Sequence, residues 1–365
     1  MLRVLAITNM FPTPQYPALG TFVEQQVIGL RRIGLDMDVM FVNRTERGMR
    51  SYFTTGSELR NRIEQFQPDV VHVMYGGVLA EQVTRIVKDR PTVVSFCGSD
   101  LLGEPLSGLW RRIISEWGVL ASHIAARRAI GIVVKSRNLE EALPAAVTRS
   151  KVRIIPNGID FERFRPLDQA DCRQVLQWDV NKFHVLFPGY SSVKQPHLAR
   201  AAMVTVNRLG LNAEMHHLEG VPHKEVSIWL NASDVVLLTS LHEGSPNIIK
   251  EALACDVAVV SVDVGDVRER VGGIDGCHIA QPDPQDLGAK LVLVRSRGGR
   301  IAGRERVEPL SLEQTSLNLM HFYQERVEVF QKQGITKRSS IDANTLLEFS
   351  SSILARRKIS GRGLK

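Results

Sequence analysis

The 365 residues are 44% hydrophobic and 23% charged, which is a soluble globular composition and excludes fibrous or low-complexity classes. At about 100–200 residues per domain, this length predicts two domains, and no apolar run reaches the ~18–20 residues of a membrane span. Eight basic against two acidic residues in 332–365 carry six of the seven net positive charges, so the body is nearly neutral and lacks a nucleic-acid footprint.

The start, MLRVLAITNMF, reads as a first strand, not as a signal peptide. RVLAIT (3–8) is followed by a helical pattern over 21–33, then by MDVMFV (37–42), DVVHVM (69–74), TVVSFC (92–97) and GIVVKS (131–136). These apolar runs are continuous, not alternating, as strands buried on both faces of a parallel sheet require. A second series comprises HVLFPG (184–189), AEMHHLEG (213–220), DVVLLTS (234–240), VAVVSV (257–262) and CHIA (277–280). The fold class is therefore α/β, with two Rossmann-like, doubly wound parallel-sheet domains whose carboxyl ends face across a cleft. The Pro/Gly/Asp-rich stretch 151–171 separates the series, and the expected boundary divides 1–166 from 167–315. Residues 331–365 form a basic, Ser-rich tail with two readings, a solvated tail or one drawn to anionic lipid. Cys97, Cys172, Cys255 and Cys277 show no CxxC or metal-ligand spacing, which predicts a reduced, cytoplasmic protein.

Chemistry concentrates in SLHEGSPNIIKEALACD (240–256). The strand before it delivers Glu243 to the cleft edge. Ser245 is expected as N-cap and Pro246 as first helical residue of a helix over 247–254. Glu251 lies about two turns inside, roughly 9 Å from Glu243 along the axis at 1.5 Å per residue. That spacing rules out one shared ligand atom. It leaves two readings: ordinary charges at a helix start, or two grips on an elongated ligand with an anionic centre at the helix N-terminus. The other candidates are His72, His216 and His217, although a histidine at a strand end is more often a satisfied structural residue than a ligand. No His/Asp/Glu group in the sequence has divalent-metal spacing.

EGSPNIIKEALA, set between a buried strand and VAVVSVDVGDVRE, resembles the Glu-x7-Glu signature of glycosyltransferase family 4, a family of GT-B fold. PALGTFVEQQVIGLRRIGLDMDV (17–39), DVVHVMYGG (69–77), TVVSFCGSD (92–100) and KVRIIPNGIDFERFRP (151–166) resemble other segments of that family, in order, over roughly residues 1–328. The resemblance implies a retaining, metal-independent glycosyltransferase using a nucleotide-diphosphate sugar and no cofactor, in surface-polysaccharide assembly. It implies that Glu243 contacts the sugar hydroxyls, that Gly244, Ser245, Pro246 and Asn247 line sugar and phosphate, and that Glu251 holds the ribose. Gly20 and Gly189 would allow close backbone approach, and Lys194 would hold the diphosphate. Gly265, in the DVGDVRE turn with Asp263, Asp266 and Glu269, matches a glycine near the donor phosphates. SLNLMHFYQERVEVF (316–330) would cross back to the first domain. The acceptor would be a glycan or lipid-linked glycan held by the first domain.

Three positions depart from the family pattern. Cys97 stands where a histidine usually touches the sugar, leaving it as a cleft-lining or a packing residue. Asp100, in the same phrase, either orients the acceptor or caps the next segment. Tyr190 replaces an arginine beside the diphosphate lysine, and Asp256-Val257 replaces a Gly-Pro pair. The rival readings are a non-catalytic GT-B homologue acting as an assembly partner, and a sugar-nucleotide epimerase. WRRIISEWGVLASHIAARRA (110–129) is amphipathic: it either packs on its own domain or lies on the inner face of a membrane carrying the acceptor.

Overall fold

A computed structural model describes residues 1–48, 51–104, 108–189 and 191–334. Tyr190 and the tail beyond 334 lie outside the described residues, so the expectations placed on them receive no structural account. The first sheet contains β1 (Arg3–Thr8), β2 (Asp36–Phe41), β3 (Val70–Val73), β4 (Thr92–Phe96), β5 (Gly131–Val134) and β6 (Val152–Ile154). Its order is β2-β1-β3-β4-β5-β6, with every pair parallel. The second sheet contains β7 (Phe183–Phe187), β8 (Ala213–His217), β9 (Val235–Leu238), β10 (Ala258–Val262) and β11 (His278–Ala280), in the order β11-β10-β9-β7-β8, again parallel. The predicted strands all form, with ends within three residues of those expected. β6 was hidden in the linker phrase KVRIIPNG, since three residues are too few to show periodicity.

The continuous apolar runs are buried because helices cover both faces. β3, β4, β5 and β9 are buried along their whole length. Local signals place the helices: Asp168 caps helix Gln169–Leu176 by accepting from Asp171 N, and Asp283 caps helix Pro284–Arg297 with proline at its start. Ile155 belongs to the first domain's core, whereas Ile159 and Phe164 belong to the second, so the chain changes cores upstream of residue 166.

The last described helix (312–334) returns to the first sheet, starting four residues before the expected 316. Leu319, Phe322 and Tyr323 pack against Val4, Val70, Val93 and Val133. Tyr323 Oη lies 2.6 Å from His72 Nδ1, and His72 Nε2 lies 2.7 Å from Ser95 Oγ. Both ring nitrogens are thus used inside the core, and burial lowers the His72 pKa to about 3. His72 is a structural lock between strand and returning helix, not a ligand.

Candidate functional site

In open parallel sheets, ligands bind beyond the carboxyl ends of strands, where the strand order reverses. In the second sheet that point lies between β7 and β9. Thr239 Oγ1, just past β9, donates to Lys194 O at 2.6 Å, and Leu241 N donates to Val193 O at 2.8 Å. These bonds stitch the loop after β7 to the loop after β9. Lys194 Nζ reaches Glu243 Oε1 at 2.5 Å, and Ser240 Oγ donates to the same oxygen at 2.8 Å. The cation and carboxylate expected for donor binding therefore meet, half-buried, at the switch point. Gly189, beside them, has open space where a Cβ would point.

Helix Asn247–Ala254 begins at Pro246, which occupies the cap position, and no side chain caps it. This corrects the expected Ser245 cap. Ser245 Oγ instead donates to the buried Asp266 carboxylate at 2.9 Å, which also pairs with Arg270 at 2.8 Å. The first-turn N–H groups thus lack a side-chain partner and present partial positive charge to the cleft. Glu251 faces a different set: His223 Nε2 at 3.5 Å, with Arg163 Nη1 donating to His223 Nδ1 at 2.7 Å. Because a guanidinium only donates, His223 Nδ1 accepts and its Nε2–H points toward Glu251. The two glutamates share no partner, as two separate grips require.

The domains touch at this site. Asn138 Nδ2 donates to Glu243 O at 2.9 Å. A Cβ on Gly244 would overlap the Cys97 carbonyl oxygen and come within 2.7 Å of Leu139 Cδ1, both in the first domain. Gly265 (φ 59°) abuts the Gly244 carbonyl so closely that a side chain has no room, and Gly20 (φ 67°) packs on the Met10 backbone. Gly20 is thus demanded by its own loop.

Asp100 is buried and accepts from Gly76 N (2.9 Å), Cys97 N (3.0 Å) and Gly98 N (2.8 Å). Its carboxylate holds the loop after β4 in shape from inside helix Ser99–Leu102, which no side chain caps, and Asp100 also lines the first-domain cavity beside it. Cys97 is half-buried, and desolvation pushes its thiol up to about 12, so it is a neutral weak donor. Beside this loop a cavity of about 560 Å³ opens in the first domain, lined by Asn9, Tyr52, Tyr75, Gly76, Ser99 and Ile114. A second, of about 570 Å³, spans the cleft from Glu104 and Arg112 to Leu241 and His242.

Helix Leu109–Arg128 carries an apolar stripe that its own domain does not cover. Trp110, Trp117 and Ile114 are 77%, 67% and 65% exposed, with Ile113 and Leu120 beside them. The helix does pack on its own domain, through the opposite face at Ala121, Ser122, Ala125 and Ala126, and leaves Trp110 and Trp117 outside that contact.

Sequence spacing also missed a cluster. His184, Glu214 and His216 come together with ligand atoms within 4.8 Å, because register pairs His184 with Glu214 across β7 and β8. His184 bridges His216 Nε2 (2.8 Å) and Asp179 O (2.7 Å), Lys182 pairs with Glu214, and Trp178 stacks on His216 at 3.5 Å. Burial and the neighbouring His184 lower the His216 pKa to about 4.

Two parallel-sheet domains meeting at their carboxyl edges are the architecture of a GT-B glycosyltransferase, and Lys194 and Glu243 meet at that edge. The family model described as "Glycosyltransferase Family 4" matches residues 21–163, and "Glycosyl transferases group 1" matches 168–295. The chain belongs to glycosyltransferase family 4. It is 24% identical to TuaC of Bacillus subtilis, a glycosyltransferase named for teichuronic acid biosynthesis, over 74% of this chain and 83% of that one. Sucrose-phosphate synthase from Thermosynechococcus elongatus has the same fold, with a TM-score of 0.72 at 17% identity, covering 88% of this chain and 98% of its own. Anabaena HepE, solved with UDP and glucose, matches with a TM-score of 0.61 at 16% identity over 87% and 98%.

Proposed function

We propose that this glycosyltransferase is a retaining enzyme that moves a sugar from a nucleotide-diphosphate sugar to a glycan or lipid-linked glycan in surface-polysaccharide assembly, without a metal or cofactor. The observation that carries it is the convergence of Lys194 and Glu243 at the β7/β9 switch point beside an uncapped helix. In this reading the diphosphate lies against Lys194 and the helix N-terminus, Glu243 accepts from the sugar hydroxyls, and Glu251 accepts from the ribose. HepE, bound to UDP and glucose on the same fold, supports nucleotide-sugar binding as the shared use of this cleft. The leaving phosphate takes the acceptor proton on the same face as the departing bond. Lys194 stabilises the charge developing on it.

Calorimetry with UDP, GDP and ADP sugars is expected to give binding to one base class, with Glu251→Ala weakening it at least 10-fold. No binding to any of them would sink the donor assignment, and unchanged affinity in the variant would sink the ribose role.

The acceptor side is proposed to sit on a membrane surface. No helix among the described residues is long and apolar enough to cross a membrane. However, Trp110, Ile114 and Trp117 face solvent next to Arg111 and Arg112, the arrangement that seats a helix among anionic headgroups. Ile114 also lines the first-domain cavity, so a lipid-anchored glycan seated there would enter beside its anchor. Trp110→Ser with Trp117→Ser is expected to cut co-sedimentation with phosphatidylglycerol-containing vesicles about 10-fold, at roughly 1 kcal/mol or less per lost aromatic contact. Equal co-sedimentation of variant and wild type would remove the membrane role.

A further inference from the structure

The polar cluster beneath Trp178 has no part in the donor reading. His184, Glu214 and His216 each bring one ligand atom to within 4.8 Å of the others. Register puts them there: His184 pairs with Glu214 across the parallel strands β7 and β8, and Glu214 and His216, two residues apart, share one face of β8. His184 and Glu214 are each the second residue of their strand, whereas the donor loops leave the carboxyl ends of the sheet. The cluster is therefore a separate place, on the two strands at one end of the second sheet.

Its geometry fits a metal ion in three ways. His184 is fully buried and its Nε2 lies 2.7 Å from Asp179 O, which only accepts, so Nε2 carries the proton. Its Nδ1 therefore turns a lone pair toward His216 Nε2, at 2.8 Å. An imidazole whose second nitrogen donates to a backbone carbonyl is the usual setting of a metal-bound histidine. The His216 ring is held in place by Trp178, stacked on it at 3.5 Å and 9° from parallel. Glu214 stands close to both rings yet bonds to neither: among the described residues, its carboxylate accepts only from Lys182 Nζ, at 2.9 Å through Oε2. A tetrahedral ion with bonds of about 2.1 Å holds its ligand atoms about 3.4 Å apart. The two nitrogens need only part, and the carboxylate move inward, by roughly an ångström to meet that geometry.

We propose that His184 Nδ1, His216 Nε2 and a Glu214 carboxylate oxygen bind a first-row divalent cation, Zn²⁺ by preference, with water in the fourth position. Two imidazoles and one carboxylate suit zinc, whereas calcium and magnesium favour all-oxygen sets. The ion takes the place of the proton between the two rings. His216 then carries its proton on Nδ1, and both rings stay neutral. Glu214 has a second oxygen for Lys182, whose side chain is 34% exposed and reaches solvent. By joining β7 to β8, the ion ties down the end strand of the donor domain's sheet. It acts on stability and not on sugar transfer, so the metal-free transfer proposed above is unaffected.

The test uses the full chain, stripped with EDTA and titrated with Zn²⁺ by calorimetry, as wild type, Glu214→Gln and His216→Asn. Wild type is expected to take up one equivalent at this site. Each variant is expected to lose about 100-fold or more in affinity, beyond the 10–100-fold that loss of a supporting group costs. Co²⁺ supplies a spectroscopic readout: tetrahedral ligation gives a visible absorption band that zinc displaces and that both variants lack. Zinc is also expected to raise the melting midpoint of wild type and to leave that of Glu214→Gln unchanged. The Glu214 side chain is 44% exposed, so this variant keeps the fold even where His216→Asn, beneath Trp178, does not. No uptake by wild type overturns the site. Uptake that both variants retain in full overturns it too, because the ion then sits on other histidines or on the cysteines. So does a wild-type midpoint unmoved by saturating zinc, since an ion bound only to the folded chain must stabilise it.

Discussion

Glu243→Ala is expected to lower kcat/KM for sugar transfer by about 10²–10³-fold, or about 3–4 kcal/mol of transition-state stabilisation. Two effects act together. The carboxylate is the acceptor proposed for the sugar hydroxyls, and it is also what holds Lys194 Nζ at 2.5 Å and Ser240 Oγ at 2.8 Å. Without it Lys194 has no fixed partner at the switch point, so the cation that meets the leaving diphosphate loses its position. The fold loses little, because a half-buried lysine–glutamate pair stabilises by about 1 kcal/mol or less once solvent screening is counted. Steady-state kinetics beside a thermal melt separate the two. Activity within threefold of wild type with an intact fold would remove Glu243 from the site. Glu251→Ala is the contrasting case: a ribose grip is the same in ground and transition state, so KM rises while kcat holds.

Gly244→Ala is expected to cost about 10²-fold in kcat/KM with almost no change in the melting midpoint. The atoms that a new Cβ would meet first, the Cys97 carbonyl and Leu139 Cδ1, all belong to the opposite domain. The second domain therefore folds as before, and only closure is obstructed. Holding the domains apart by about 1 Å misplaces donor against acceptor, and a displacement of that size costs on the order of 10²-fold. Gly265→Ala is the control. Its Cβ would strike the Gly244 carbonyl within the same domain, at a φ of 59°, so it lowers the melting midpoint as well. Small-angle scattering checks the mechanism: nucleotide-induced compaction is lost in Gly244→Ala. Full activity and normal compaction in that variant would mean that this contact is not part of the working closed state.

The parts of this protein that could be read in its sequence are those whose physics is local. Strands buried on both faces must be continuously apolar, so β3, β4, β5, β7, β9 and β10 stood out as runs. A glutamate after a buried strand, a Gly-Ser-Pro turn and a second glutamate eight residues on define one strand–loop–helix unit, and that unit appears where expected. Where a local rule failed, a distant residue had intervened. Ser245 has the side chain of an N-cap, yet Asp266, twenty-one residues away, draws its hydroxyl. His72 lies in a strand near the cleft, yet Tyr323 from the returning helix occupies its Nδ1. The stripe of helix Leu109–Arg128 showed its period in sequence, but a period identifies a face and not what covers it.

By itself, then, the sequence determined the two-sheet class, the order of the strands along the chain, the family and the identity of the two glutamates. Each of these rests on residues close together in the chain or on a periodicity of two or 3.6. Only the tertiary structure decided which groups face one another across the cleft. Lys194 meets Glu243 because β7 and β9 are neighbours in the sheet. Lys135 comes beside Cys97 through strand register, and Asn138 meets Glu243 only because the domains touch. Those adjacencies arise from sheet order and domain contact, which join residues 38 to 105 positions apart and leave no spacing to read.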